Sequence, residues 1–292
     1  MGPYLNSKRH VVAVAGIVAF LVVMLGLWIV LRTGGGAADD LSPFARKVLK
    51  MGRVGWVCAE SRHFICYASD ASHLAAIQNA AEFAYARAVE FLPGATGGRK
   101  GRIFSVDEEM WARVLRKADR RRDGLAIQSE NEIFVMQSGS TADVAVRIAH
   151  EVVHYRVWQL WGSLVPVWLD EGLAGCLGWD IAEAYRLKMG WQLSRRWGDA
   201  PPPVSDLAKL MKTADYPAPG PEAEAFYRQS EALVRAIARN IGYGKLHHFV
   251  AGVTEETLSW DAYLRDRFGF SEYDFRWLAE EYERNLTGKE DD

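Results

Sequence analysis

The chain has 292 residues, of which 49% are hydrophobic, 12% aromatic and 25% charged. That is enough apolar material for one large domain or two small ones, and it excludes a wholly disordered chain. Lys+Arg 35 against Asp+Glu 37 gives a net charge of -2, so there is no cationic excess to neutralise phosphates and no nucleic-acid partner is expected. Three Cys without a CxxC pair exclude a disulfide-dense scaffold, a zinc ribbon and a thioredoxin-type redox motif.

Val11 to Leu31 is an uncharged run of 21 residues, preceded by Lys8 and Arg9. At about 1.5 Å per residue it is about 31 Å long as a helix, close to the hydrocarbon thickness of a bilayer. The basic flank predicts a cytoplasmic tail over 1–10, a transmembrane signal anchor over 11–31, and export of everything after Arg32 to the periplasmic or extracellular side of the cell membrane. A cleaved signal peptide is the alternative, with Gly36-Ala37-Ala38 as its small-residue site. Residues 32–42 read as a flexible linker. Export permits disulfides. Cys58 and Cys66 are therefore either bridged or two partly buried thiols, and Cys176 packs as a small apolar residue.

The next stretch, 43–197, reads as a mixed lobe. A short helix over 43–52 leads to β-branched and aromatic residues in Trp56–Tyr67, which predict one or two strands. Helical spacing over Ser72–Phe91 ends at Pro93-Gly94. Arg102–Val106 is a strand, followed by an acidic helix start at Asp107-Glu108-Glu109. Leu125–Gln128 and Glu132–Gln137 are strands around a Ser-Glu-Asn turn; Glu132–Gln137 is either an ordinary sheet strand or the edge along which a peptide could add. Thr141–Trp161 is a long helix, Gly162–Pro166 a turn, and Trp168–Met189 a second helix. Residues 198–221 are Pro-rich and cross to a region, 222–287, that is helical and broken at Gly242–Gly244 and Gly269. A short tail, 288–292, follows. Strands with helices and then helices alone predict an α+β fold with a helical C-terminal lobe.

His150-Glu151-Val152-Val153-His154 carries the chemistry. Residues i and i+4 share a helix face, about 5–6 Å apart at Cβ, so both imidazoles can reach one zinc ion. Glu151, offset by one residue, can face a bound water without ligating the metal. Sixteen residues separate His154 from Glu171, in Trp168-Leu169-Asp170-Glu171-Gly172. That length finishes one helix, turns, and returns antiparallel, facing Glu171 to the two His. Two His, one Glu and a water are a catalytic zinc set rather than a closed structural one. Asp170 is the rival third ligand.

His-Glu-x-x-His followed by Trp-Leu-x-Glu-Gly-x-Ala resembles the gluzincin zinc metallopeptidases, with the closest similarity to bacterial peptidase-MA-like domains, over roughly residues 55–285. The resemblance extends to Tyr227-x-x-Ser230, Gly242-Tyr243-Gly244 and a terminal helix with Trp277. It implies a zincin-like, thermolysin-type lobe with a small mixed sheet, and Glu171 as the third ligand. It also implies metal-assisted hydrolysis of a peptide or protein substrate, with Glu151 as general base. A Tyr from the helical lobe stabilises the oxyanion in such enzymes. Tyr227 is the candidate, or else a core aromatic, and His247 and His248 are weaker candidates. The chain departs from the pattern in four places. The His154–Glu171 spacing is shorter than in aminopeptidase N-like enzymes, and there is no Gly-x-Met-Glu-Asn motif. Arg147 and Arg156 flank the His pair where apolar residues are usual, and Gly175 stands where a polar residue often supports the metal ligands. The sequence names no orienting partner for either His. The alternative function is a zinc-containing, membrane-anchored binding or scaffold domain of the cell envelope without turnover.

Overall fold

A computed structural model describes residues 41–51, 55–95, 98–114, 124–127, 130–191, 210, 216–217, 220–255 and 260–287. The uncharged run 11–31, the linker up to residue 40 and most of the Pro-rich crossing lie outside the described residues. Among the described residues no helix is long and apolar enough to cross a membrane.

Five strands form one mixed sheet: β1 (Val57–Glu60), β2 (Phe64–Ala68), β3 (Gly101–Asp107), β4 (Gly124–Ile127) and β5 (Glu132–Gln137), in the order β1-β2-β3-β5-β4. The central pairs β2/β3 and β3/β5 are parallel, and the outer pairs are antiparallel. Strand β5 is therefore internal. The peptide-accepting edge considered for Glu132–Gln137 passes to β4, which is the outer strand among those described. Glu132 itself is buried and accepts hydrogen bonds from the Ser42 backbone N–H at 2.8 Å and from the Ser42 hydroxyl.

The register also decides the cysteines. Cys58 lies opposite Tyr67, and Cys66 opposite Ala59. Successive strand residues point to opposite faces, so the one-residue offset sends the two thiols to different sides of the ribbon. All three cysteines are free, and burial pushes the Cys66 and Cys176 thiols up to about 12.

The sheet separates two apolar layers, and alternation along the central strands feeds both. Ile103, Ile133 and Val135 belong to the larger core, while Phe104, Val106 and Phe134 point the other way. There Tyr67, Phe104 and Phe134 stack at 4.7 and 4.8 Å beneath α1 (Pro43–Met51) and α3 (Glu108–Val114). The larger core holds α2 (Ala71–Phe91), α4 (Thr141–Trp161), α5 (Val167–Met189) and α6 (Pro221–Ile241). Helix α6 is followed by a 3-10 turn at Tyr243–Lys245, α7 (Leu246–Glu255), α8 (Trp260–Phe268) and α9 (Glu272–Thr287). The described residues after 220 thus contain helices and no strand. Glycines end helices at Gly242 (φ 87) and lie between α8 and α9 at Gly269 (φ 69), left-handed backbone that side chains resist.

Helix α4 starts at a capping box in which Ser140 and Asp143 satisfy each other's backbone N–H. It packs on α2 and α5 and against β4 and β5, so apolar residues surround it on most sides. This location explains the two arginines. Arg147 donates to the carbonyls of Met136 and Ser138, at 3.2 and 2.7 Å, tying α4 to the end of β5. Arg156 is fully buried and donates Nε and Nη2 to the Leu92 carbonyl at 3.0 and 2.9 Å, and Nη2 to the Gly94 carbonyl at 3.2 Å. Those carbonyls follow the last turn of α2, where orphan acceptors and a negative helix end favour a cation. Both arginines donate to backbone carbonyls of neighbouring segments.

Candidate metal centre

Helix α4 presents His150 and His154 on one face, and α5 runs back across that face after the turn at Gly162–Leu164. The two helices approach closely because Gly178 has no side chain: a Cβ there would meet the His150 Cα at 2.9 Å and N at 3.0 Å. The result is a convergence of three atoms. His150 Nε2 and His154 Nε2 are 3.2 Å apart, and Glu171 Oε2 is 3.5 and 3.6 Å from them. A tetrahedral ion with bonds of about 2.0–2.1 Å requires donor separations of about 3.3–3.4 Å. The donor set therefore fits a metal ion in both type and spacing, and His150, His154 and Glu171 can hold one.

Asp170 is not in that set. Its Oδ2 lies 3.0 Å from His154 Nδ1, on the opposite edge of the ring from Glu171. Adjacent residues on a helix point about 100° apart, so Glu171 reaches the Nε2 side of the imidazole while Asp170 reaches Nδ1. A carboxylate on the second nitrogen fixes ring orientation and tautomer. Tyr216 extends the chain, its hydroxyl donating to the same Asp170 Oδ2 at 3.1 Å. Nothing in the sequence marks Tyr216, which lies within the segment read as an irregular crossing. The role of Asp170 was hidden because a residue beside a ligand reads first as a competitor for the metal.

The charges are mutually dependent. Burial opposes ionisation of Glu171, but the His154 and His150 imidazoles overcome it and hold its carboxyl well below the usual range. Burial likewise opposes the charged form of His154, and Asp170 and Glu171 outweigh it, raising that ring well above its ordinary value. Burial pushes the Tyr216 hydroxyl far up, with Asp170 and Glu171 adding to it, so it stays a donor.

Glu151 is buried beside the candidate ligands and outside the converging set. Burial pushes its carboxyl above the ordinary value against the pull of His150 and His154. It abuts the start of β4: a Cβ on Gly124 would lie 2.9 Å from the Glu151 Cδ and collide with Oε1. Glycine at 124 is what lets the outer strand pass over this carboxylate.

Tyr227 is brought to the site. It lines a cavity of about 160 Å³ together with His150, Glu171, Gly175, Trp179 and Glu231. His247 and His248 are not. His247 packs at a tilt against Trp161 at the far end of α4, with ring centroids 5.2 Å apart, and the His248 carbonyl accepts from Tyr263. Glu231, on α6, was not expected at the site at all, since its place depends on how α6 crosses α5. Comparison with protein-family models finds no match, and comparison with curated proteins finds none either, so the geometry of these side chains carries the functional argument.

Proposed function

We propose that the protein is a zinc-dependent peptidase of the gluzincin kind, its mixed sheet and α4–α5 pair forming a zincin-like lobe. The observation that carries this reading is the separation of roles on α4. His150 and His154 converge with Glu171 at ligand spacing, while the intervening Glu151 is buried alongside without joining them. A closed structural site has no use for such a carboxylate.

His150, His154 and Glu171 would hold zinc, and when bound it supplies Lewis acidity toward a carbonyl and a water acidic enough to react near neutral pH. Glu151 accepts the proton of the attacking water and passes it to the leaving amine, and a pKa raised by burial suits both transfers. Tyr227 faces the same cavity as the ligands and donates to the developing oxyanion. Asp170 and Tyr216 hold the His154 ring in place from behind. The β4 backbone, running from Gly124 past Glu151, offers an extended peptide the edge that no described strand covers. The uncharged run 11–31 supports a single membrane anchor with the catalytic domain outside the cytoplasm.

The test is hydrolysis of a peptide library by wild type and Glu151→Gln at matched zinc content. The variant keeps size, fold and zinc, and its rate falls about 10²–10⁴-fold. Equal rates would remove Glu151 as the base. No hydrolysis by the zinc-loaded wild type would favour the binding or scaffold reading.

A further inference from the structure

We propose that the slot between α2 and α4, towards the carboxyl ends of β3 and β5, binds a small uncharged aliphatic ligand with one hydroxyl or carbonyl group, anchored by Ser105. The slot is a cavity of about 60 Å³. At about 10–15 Å³ for each water-sized group, it has room for about four to six non-hydrogen atoms. Its buried walls are Ile77 and Ala80 of α2, Ala145 and Ile148 of α4, Tyr185 of α5 and, on the sheet, Ser105. Strand alternation puts the Ser105 side chain on this face. It follows Phe104, which points the other way, and lies opposite Val135 of the larger core. Ser105 is 1% exposed, and among the described residues its hydroxyl meets no hydrogen-bond partner. A buried hydroxyl without a partner is costly, and a polar ligand atom in the slot would satisfy it. Water serves poorly there, since a buried water needs about two to four polar partners and the surrounding walls are mostly hydrocarbon.

The rim fixes the charge of the ligand. Helices α2 and α4 both begin there, with His73 and Thr141 lining the opening, and helix starts ordinarily attract anions. Both starts are already capped. Asp70 accepts from the Ser72 and His73 backbone N–H groups at 2.9 and 3.0 Å. The Ser140 hydroxyl accepts from the Asp143 N–H at 3.2 Å. The Asp143 carboxylate lies against Gly139, also on the rim, where a Cβ would meet its Oδ2 at 2.7 Å. An acid would therefore find carboxylates where it needs donors. An amine would carry its charge to a floor that no carboxylate lines among the described residues, and an unpaired buried charge is costly. A neutral ligand avoids both penalties. The slot is separate from the metal centre. Ile148 precedes His150 by two residues, which at about 100° per residue puts them on opposite sides of α4.

The experiment titrates isobutanol, which matches the slot in size and polarity, into the full-length chain carrying isotope-labelled isoleucine methyl groups, and follows Ile77 and Ile148 by NMR. Wild type shows saturable shifts at both methyls with a half-point of about 1 mM, within the reach of so small a ligand. Ser105→Ala removes the hydroxyl and leaves the apolar walls in place. It folds with an unchanged or raised thermal midpoint, and its half-point for isobutanol rises about 3–10-fold. Isobutyrate and protonated isobutylamine, of similar shape, bind at least about ten-fold more weakly than isobutanol. Metal-free protein gives the wild-type half-point, so the outcome does not depend on the peptidase reading. Absent shifts, or shifts that grow linearly with alcohol, would overturn the proposal and leave the slot to water. Equal half-points in wild type and Ser105→Ala would overturn the anchoring by Ser105. Isobutyrate or isobutylamine binding as tightly as isobutanol would overturn the assignment of an uncharged ligand.

Discussion

Replacing Asp170 by Asn separates a residue that orients a ligand from a residue that is one. Asp170 Oδ2 sits 3.0 Å from His154 Nδ1, both side chains are nearly buried, and Tyr216 donates to the same oxygen. Asn keeps the shape and one acceptor but removes the charge that strengthens His154 as a donor to metal. Loss of such an outer partner costs about 10–100-fold in metal affinity, or about 1.4–2.8 kcal/mol at 1.4 kcal/mol per decade. Glu171→Ala instead deletes one of three converging donors, leaving two imidazoles 3.2 Å apart, and the expected result is loss of stoichiometric metal. The assay is a chelator-competition titration of zinc on wild type, Asp170→Asn and Glu171→Ala, with circular dichroism to verify the fold. Tyr216→Phe is the intermediate case: it removes one hydrogen bond, about 0.5–1.5 kcal/mol, and a roughly two- to ten-fold loss is expected. Should Glu171→Ala retain stoichiometric zinc while Asp170→Asn loses it, the geometric distinction between the two carboxylates is refuted, and Asp170 is the ligand.

Arg156→Met leaves the Leu92 and Gly94 carbonyls without their buried donor, at about 1–3 kcal/mol each. Urea unfolding should show a loss of about 2–4 kcal/mol, and a loss below about 1 kcal/mol would mean that water replaces the guanidinium. Glu82 ties α2 to the β1–β2 turn by accepting from the Ser61 hydroxyl and His63 N–H at 2.6 and 2.7 Å and pairing with His63 Nδ1. Burial opposes its charge, but these partners win and lower its pKa below 4.5. A depressed carboxyl stabilises the fold above its unfolded pKa, and the contribution fades as pH falls through the folded value. The thermal midpoint of wild type should therefore exceed that of Glu82→Gln at pH 6, and the gap should narrow as pH falls below the ordinary carboxyl range; a gap that does not narrow in acid would contradict the assignment.

Much of this protein is local in origin and so legible in the chain. Helical periodicity, the Ser140–Asp143 cap and the Pro93-Gly94 stop place the helices. The i, i+4 spacing of His150 and His154 puts two imidazoles on one face whatever surrounds them. The return of Glu171 needs only a turn of adequate length. Tertiary structure alone decided what depends on register and crossing. Strand order made β4, not Glu132–Gln137, the outer strand among those described. A one-residue offset between β1 and β2 parted Cys58 from Cys66. The close passage of α4 over Gly178 set the ligand spacing, and the crossing of α6 over Gly175 brought Glu231 to the cavity. Asp170 and Glu171 are neighbours that the chain cannot rank; the two edges of one imidazole ring distinguish them. The physical reason is range: periodicity and capping act over three or four residues, whereas a carboxylate that lines the same cavity as a histidine 81 positions away in the chain does so through helix packing, which no local pattern encodes.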